Sequence, residues 1–222
     1  MSCKAVFTAV FLTQIWKLNT IYNKCFYALL ERGIKMRIVD LFSGAGGLTF
    51  GFYYNKENNI FVRNRNCNII FANEYDHAAA ESFHLNFPDV NMINRDIRNL
   101  TQEEVLQLIG EEEVDLIIGG PPCQSYSTIG RRVYDDKAKL YNEYYRMLSI
   151  IKPKMFLFEN VRGMLSMRDE EGNLVIDNIQ NMFANITEEL GYNIVYETID
   201  AVNYGIPQHR ERVFIIGNRN DL

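Results

Sequence analysis

A short apolar run that ends in a glycine–proline turn, within residues 114–128 (VDLIIGGPPCQSYST), constrains the fold of this chain more than any other feature. The apolar residues 116–118 lead into Gly119-Gly120, two prolines and then Cys123. A run of this length bounded by glycine and proline predicts a buried strand that ends at a rigid loop. Because ligands of open α/β sheets bind beyond the carboxyl ends of the strands, we expect Cys123 to take part in chemistry. The alternative is an inert buried thiol, which is the role of most free cysteines.

The composition limits what kind of protein this is. The chain has 222 residues, of which 47% are apolar and 23% charged, enough for one α/β domain with its own core. The net charge is −5, whereas proteins that bind nucleic acid usually present a basic surface. Any binding to nucleic acid should therefore use a local basic patch or a region outside this chain. The four cysteines form no CxxC pair, so we expect no metal site and a reducing cytoplasm. Without an apolar stretch of about 18 to 20 residues, no membrane helix is predicted.

The first 35 residues stand apart from the remainder. They are apolar and aromatic, with helical spacing around Phe26 and Leu30. Two interpretations stay open: the segment 1–35 is a docking helix, or it lies outside the functional domain. Met36 directly precedes the first predicted strand and is itself a candidate start site. We therefore predict an N-terminal extension over 1–35 and one catalytic domain over 36–222.

Strand and helix patterns alternate along residues 36–222, which predicts a doubly wound, mostly parallel sheet of the α/β class. Apolar runs predict strands at 36–42, 68–73, 91–93, 116–118, 155–158, 193–200 and 213–216. The segment 53–67 is polar and asparagine-rich, so we expect a surface insertion. Helices are predicted at about 77–86, 140–151 and 177–190, and the last should end at Gly191. A capping-box pattern at Thr101 and Glu104 predicts the start of another helix.

A glycine-rich turn, SGAGG at residues 43–47, follows the first strand. Glycine lets the backbone approach a ligand closely, and a helix that starts there presents free N–H groups. The glycine spacing does not match the GxGxxG fingerprint, which argues against a nicotinamide dehydrogenase. A tight turn without any ligand is the other interpretation.

Carboxylates follow the next two strands. Glu74 stands at the tip of the second strand, where a ribose would be held through its two hydroxyls, and Tyr75 is placed to lie against a base. Asp96 and Ile97 follow the third strand at the same edge. The alternative for Glu74 is a carboxylate that caps a helix.

Charged residues also follow the later strands. Glu159 comes directly after the apolar residues 155–158, and partial desolvation suits a group that shares a proton with a substrate. Gln208, Arg210 and Arg212 are spaced by two, so they point to one side if that segment is extended. The alternative for Glu159 is a cap or an ion-pair partner, and the alternative for Arg210 and Arg212 is a set of surface ion pairs.

Six short blocks, taken in order, resemble the DNA (cytosine-5)-methyltransferases of bacterial restriction–modification systems. These are DLFSGAGG (40–47), NEYD (73–76), DI (96–97), GGPPCQ (119–124), ENV (159–161) and QHRER (208–212). Each block alone is a weak signal, but six in the family's order are specific. The resemblance covers residues 36 to about 219.

This resemblance implies a Rossmann-like methyltransferase fold with S-adenosylmethionine as the cofactor, S-adenosylhomocysteine as the product, and no metal. The residues implied to bind the cofactor are Phe42, Gly44, Gly46, Gly47, Leu48, Glu74, Tyr75, Asp96, Ile97 and Pro122. Among them, Glu74 would take the ribose hydroxyls, and Asp96 with Ile97 would border the adenine.

The resemblance also implies how a cytosine is held. Cys123 would add to carbon 6 of a cytosine that has flipped out of double-stranded DNA. Glu159 would contact the N3 edge of the base, and Arg212, with Arg210 nearby, would donate to O2.

Enzymes of this family continue with a target-recognition region and a closing segment, and we find neither here. We therefore expect either a second subunit that carries target recognition or a truncated form with little activity alone. Two other functions stay open: a tRNA cytosine-5 methyltransferase, which shares the same blocks, and a non-catalytic protein that binds the cofactor or docks a partner. The expected location is the prokaryotic cytoplasm, at the nucleoid when on DNA.

Overall fold

The computed structural model describes residues 35–58, 60–122, 140–187 and 189–222. The predicted N-terminal helix, Cys123 and the loop after it lie outside these residues. The strands are β1 Met36–Leu41, β2 Tyr54–Glu57, β3 Ile60–Arg63, β4 Cys67–Glu74, β5 Asn91–Asn94, β6 Leu116–Gly119, β7 Met155–Val161, β8 Tyr192–Asp200 and β9 Glu211–Arg219. The α-helices are α1 Gly47–Tyr53, α2 His77–Asn86, α3 Gln102–Ile109, α4 Tyr141–Ile151 and α5 Val175–Ala184. Short 3₁₀ helices occupy Ile97–Asn99, Arg162–Ser166 and Ala201–Tyr204.

One sheet organises the described part of the chain, in the order β5-β4-β1-β6-β7-β9-β8. The first five strands of this order are parallel, as predicted. Strand β9 runs antiparallel to both of its neighbours, β7 and β8. The predicted α/β class with a mostly parallel sheet is confirmed.

The core lies on both faces of this sheet. Successive residues of a strand point to opposite faces, so Ile117 and Phe156 join one apolar cluster while Ile118 and Leu157 join the other. Helix α4 adds Tyr144 to the first cluster, with its ring fully buried. Both faces of the central strands are therefore covered, as parallel sheets require.

Strand β7 is longer than predicted. The apolar run suggested an end after Phe158, but the strand continues through Glu159 to Val161. On the β6 side, pairing stops at Phe158, whereas β9 pairs with β7 as far as Val161 opposite Arg212. Glu159 therefore lies inside a strand rather than beyond its end.

The predicted end of the 177–190 helix was wrong. Helix α5 ends at Ala184, and a separate turn follows in which the Leu190 N–H donates to Thr187 Oγ1 at 3.0 Å. A Cβ on Gly191 would lie 1.8 Å from the Ala184 carbonyl oxygen. Gly191 is thus required where the chain returns close to the end of α5, not as the residue that terminates it.

The insertion between α1 and β4 lies on the surface, as expected, but it has its own structure. Strands β2 and β3 form an antiparallel hairpin with Tyr54 opposite Arg63. Phe61 anchors the hairpin against Phe50 of α1, with ring centroids 5.0 Å apart. Among the described helices, none is long and apolar enough to cross a membrane.

Candidate active site

A cavity of about 640 Å³ opens at the carboxyl edge of the parallel strands. Its lining comprises Phe42, Asn73, Glu74, Tyr75, Asp76, Asp96, Ile97, Arg98, Gly120, Pro122 and Leu140. The ends of β1, β4, β5 and β6 therefore converge on one space, together with the residue that precedes α4.

Six of the ten residues expected to bind a cofactor line this cavity. They are Phe42, Glu74, Tyr75, Asp96, Ile97 and Pro122. The lining does not include Gly44, Gly46, Gly47 or Leu48, which shape the turn and the first turn of α1. Cys123 directly follows Pro122 in the chain but lies outside the described residues.

Glu74 holds the glycine-rich turn in place. Its Oε2 accepts the Gly44 N–H at 2.7 Å, and its Oε1 accepts the Asp76 N–H at 2.8 Å. The cap of α2 is Asp76, whose Oδ1 accepts the Ala79 N–H at 2.8 Å, so Glu74 is not the helix cap. A carboxylate accepts about four hydrogen bonds, which leaves Glu74 able to accept two more from a ligand.

Gly46 has a packing role. Its φ is +88°, and a Cβ there would lie 2.1 Å from Phe87 Cε2. Only glycine permits both this backbone conformation and this approach to the residue that follows α2. Gly44 differs, because its φ is +56° but nothing lies within 4 Å of a Cβ at that position.

A buried carboxyl group, Asp40, lies beneath the turn. Thr49 Oγ1 donates to Asp40 Oδ2 at 2.5 Å, while Oδ1 has no hydrogen-bond partner among the described residues. Burial raises the pKa of Asp40 to about 7; the Thr49 hydrogen bond opposes the shift and the charge of Glu74 adds to it. Sequence reasoning assigned Asp40 no separate role, although an acid inside the apolar run of β1 was the available signal.

Arg98 is a lining residue that sequence reasoning also missed. Its Nη2 lies 2.6 Å from Asp96 Oδ2, and its backbone N–H donates to Asp96 Oδ1 at 3.0 Å. These contacts hold the pKa of Asp96 below its ordinary value, with the side-chain hydrogen bonds from Arg98 as the largest cause. Asp96 therefore faces the cavity as an anion at neutral pH.

Glu159 and Arg212 form an ion pair beside the glycine–proline turn. Arg212 Nε lies 3.0 Å from Glu159 Oε1, and the two side chains are 19% and 21% exposed. A Cβ on Gly120 would lie 2.7 Å from Glu159 Oε2, so glycine is needed where this turn meets the carboxylate. The structure brings together the predicted turn, acid and arginine.

Arg210 lies before the start of β9, which begins at Glu211. Only Glu211 and Arg212 of the segment 208–212 belong to the strand, and Gln208 lies in a bend. The alternation expected for an extended segment therefore does not apply to all three of Gln208, Arg210 and Arg212. The backbone N–H of Arg210 donates to Asp200 Oδ1 at 2.8 Å, which fixes the chain just ahead of Arg212.

Comparisons with known proteins identify the family of this chain. The model of the C-5 cytosine-specific DNA methylase family matches residues 36–222, and the chain belongs to this family. The Type II methyltransferase M.FnuDI of Fusobacterium nucleatum is 43% identical over 189 residues, which are 84% of this chain and 48% of that protein. M.AquIA of a Picosynechococcus species, also named a Type II methyltransferase, is 33% identical over 191 residues, 84% of this chain and 73% of that protein.

A solved structure shares the fold. It is described as a DNA modification methyltransferase encoded within an E. coli prophage, and it superposes with a TM-score of 0.66 at 29% identity. The match covers 84% of this chain and 47% of that one. The chain thus spans about half the length of M.FnuDI and of this structure, but a larger share of M.AquIA.

Proposed function

We propose that this chain transfers a methyl group from S-adenosylmethionine to carbon 5 of cytosine in DNA, within a restriction–modification system. One observation carries the proposal. The same sheet edge holds a cavity whose lining includes the carboxylates of Glu74 and Asp96, and the Glu159–Arg212 pair at the turn that leads to Cys123. Family membership supports the same reaction.

The cavity fits the cofactor in size and in chemistry. Its volume of about 640 Å³ lies within the range of roughly 300–1,000 Å³ that small-molecule sites occupy. Glu74 keeps acceptor capacity for the two ribose hydroxyls, and the anionic Asp96 suits the amino group of the adenine. Phe42 and Ile97 supply apolar contact for the base. The bound cofactor supplies an electrophilic methyl group, whose positive sulfonium the acidic lining favours.

The Glu159–Arg212 pair suits the cytosine. Carbon 5 of cytosine is a poor nucleophile until a thiolate adds to carbon 6, which breaks the aromaticity of the ring. In our proposal Cys123 forms that bond, carbon 5 takes the methyl group, and loss of the carbon 5 proton expels the thiolate. Glu159 shares a proton with N3 and Arg212 donates to O2, so both stabilise charge that develops on the ring.

The proposal includes a separate region or second subunit that selects the DNA sequence. The net charge of the chain is −5, whereas a protein that holds DNA by itself presents a basic face. M.AquIA is a markedly shorter protein than M.FnuDI, because a similar number of matched residues makes up 73% of one and 48% of the other. The relatives of this chain therefore include a protein shorter than M.FnuDI.

Covalent trapping tests the proposal. DNA with 5-fluorocytosine blocks the final elimination, so wild-type protein with S-adenosylmethionine should form a stable complex, and Cys123→Ser should form none yet still bind S-adenosylhomocysteine. Cys67→Ser is the matched control: burial raises the pKa of the Cys67 thiol to about 11, and this variant should still trap DNA.

The assay should be run with and without the product of the adjacent reading frame, and with tRNA as a competing substrate. No complex with DNA under either condition would overturn the proposal. Trapping on tRNA alone would assign the chain to RNA instead. Binding of S-adenosylhomocysteine without any complex would indicate the non-catalytic alternative.

A further inference from the structure

Arg146 of α4 reaches the turn that follows Asp96. Its Nη2 donates to the Ile97 carbonyl at 2.7 Å, and its Nη1 donates to the Leu100 carbonyl at 2.9 Å. Its Nε donates to Glu143 Oε2 at 2.8 Å, which orients the guanidinium from the same helix. All three hydrogen bonds come from one planar guanidinium group, which only arginine has.

The turn that Arg146 holds forms one wall of the cavity. Asp96 and Ile97 line that wall, whereas Arg146 is not among the lining residues. The wall follows β5, a strand of four residues at the edge of the sheet whose pairing is to β4. A wall that rests on a short edge strand needs a second anchor, and Arg146 supplies one.

Helix α4 is itself fixed to the centre of the sheet. The hydroxyl of Tyr144, which is fully buried, lies 3.2 Å from the Ile117 carbonyl oxygen and 3.1 Å from that of Leu157. These carbonyls belong to β6 and β7, the strands that lead to Gly120 and to Glu159. The position of α4 relative to the reaction side of the site is therefore set by buried contacts.

We propose that Arg146 is a positioning residue that holds the cofactor wall, Asp96 to Leu100, at a fixed distance from the strands that carry the reacting groups. Its side chain acts through Asp96 and Ile97 and does not touch the ligand. The inference rests on the proposed function in one respect, namely that the ligand of the cavity is S-adenosylmethionine.

Three variants test this role. Arg146→Met removes the guanidinium group, and the single amino group of Arg146→Lys reaches one of the two carbonyls at most. Arg37→Met is the matched control. Arg37 also donates to a main-chain carbonyl, that of Ile109, and pairs with Glu112 at 3.0 Å, but it lies at the amino end of β1, away from the cavity. Both arginines are partly buried, so their loss should lower the stability of the fold similarly.

We expect Arg146→Met to weaken S-adenosylhomocysteine binding about tenfold in calorimetric titration, as the loss of charged hydrogen bonds predicts. Arg146→Lys should fall between Arg146→Met and wild type, and Arg37→Met should bind as wild type. Without ligand, amide hydrogen exchange over residues 96–100 should be faster in Arg146→Met and unchanged in Arg37→Met. If Arg146→Met does not fold, the affinity and the hydrogen exchange are both measured on Arg146→Lys.

Unchanged exchange over 96–100 and unchanged affinity would overturn the positioning role. A loss of affinity equal to that of Arg37→Met would also overturn it, because general destabilisation would then explain the effect. If the wild-type chain binds no S-adenosylhomocysteine, the cofactor assignment fails. In that case faster exchange in Arg146→Met still supports the anchoring of the turn, so the two failures are distinguishable.

Discussion

Glu159 and Arg212 meet diagonally across the antiparallel pair of β7 and β9, with Oε1 and Nε 3.0 Å apart. Glu159 is paired with Phe214, and Arg212 with Val161. Because β9 runs against the other strands, its first residues lie at the edge where the parallel strands end. An arginine from near the end of the sequence is thereby placed beside a carboxylate from the middle of it.

Arg212→Met should lower methyl transfer to DNA by about 10²–10³-fold, since a donor aimed at developing charge is lost. The affinity for S-adenosylhomocysteine should stay near that of wild type, because Arg212 is not among the cavity-lining residues. Transfer of a radiolabelled methyl group measures the first quantity and calorimetric titration the second. Arg162→Met is the control: Arg162 pairs with Glu211, but the two side chains are 65% and 44% exposed. Equal losses in both variants would contradict the role of Arg212.

Glu74→Gln should weaken cofactor binding by about tenfold or more. The Gly44 and Asp76 N–H groups donate to different oxygens of the carboxylate, and the amide replaces one of these oxygens with an NH₂ group that cannot accept. Fluorescence or calorimetric titration with S-adenosylhomocysteine gives the change. Glu81→Gln removes an exposed carboxylate from α2 and should bind as wild type. Wild-type affinity in Glu74→Gln would rule out the ribose contact.

Asp40→Asn should remove a component of the pH dependence of stability. The folded pKa of Asp40 is raised from 3.8 to about 7, so between these values the folded state holds a proton that the unfolded state has lost. Stability from this group is therefore present below about pH 4 and is lost as pH rises through 7, a change of roughly 4 kcal/mol at most.

Urea unfolding of wild type and Asp40→Asn at pH 5 and pH 8 measures this effect. The variant should gain stability relative to wild type at the higher pH, because asparagine does not titrate. Other carboxyl groups contribute equally to both proteins, so the difference between them isolates Asp40. A stability difference that is the same at both pH values would refute the assignment.

Gly46→Ala should destabilise the fold more than Gly44→Ala. Both glycines have positive φ, which costs another residue about 1–2 kcal/mol. At Gly46 the new methyl group also meets Phe87, which adds roughly 1–3 kcal/mol of overpacking. Urea midpoints at a common pH measure the ranking, provided that the slope of each transition is unchanged. A larger loss at Gly44 would reverse our assignment of the two roles.

Elements with strong local signals were predicted closely from the sequence. Helix α2 spans the predicted residues, since Asp76 caps its start and Pro88 follows its end. The capping box that opens α3 was predicted at Thr101 and Glu104, and both of its hydrogen bonds are present. Each signal lies within a few residues of the structure that it specifies, so no distant contact had to be known.

Elements that depend on distant partners were predicted less well. The last residues of β7 are strand because β9 pairs with them. The residue types of Glu159 and Asn160 do not indicate that such a neighbouring strand exists. Helix α5 ends early although its pattern continues, because Gly191 brings the chain back against Ala184. The direction of β9 was not predicted either, since alternation along one strand is the same in both directions.

By itself, the sequence determined which residue types lie at or near the ends of the strands: the glycine-rich turn, Glu74, Asp96, Glu159 and the arginine-rich segment. It also determined the family, through the order of its short blocks. The tertiary structure decided which of these groups touch. Glu74 holds Gly44 from 30 residues away, and Arg146 holds Leu100 from 46 residues away. Such contacts follow from the order of the strands in the sheet, which arises only when the whole sheet assembles.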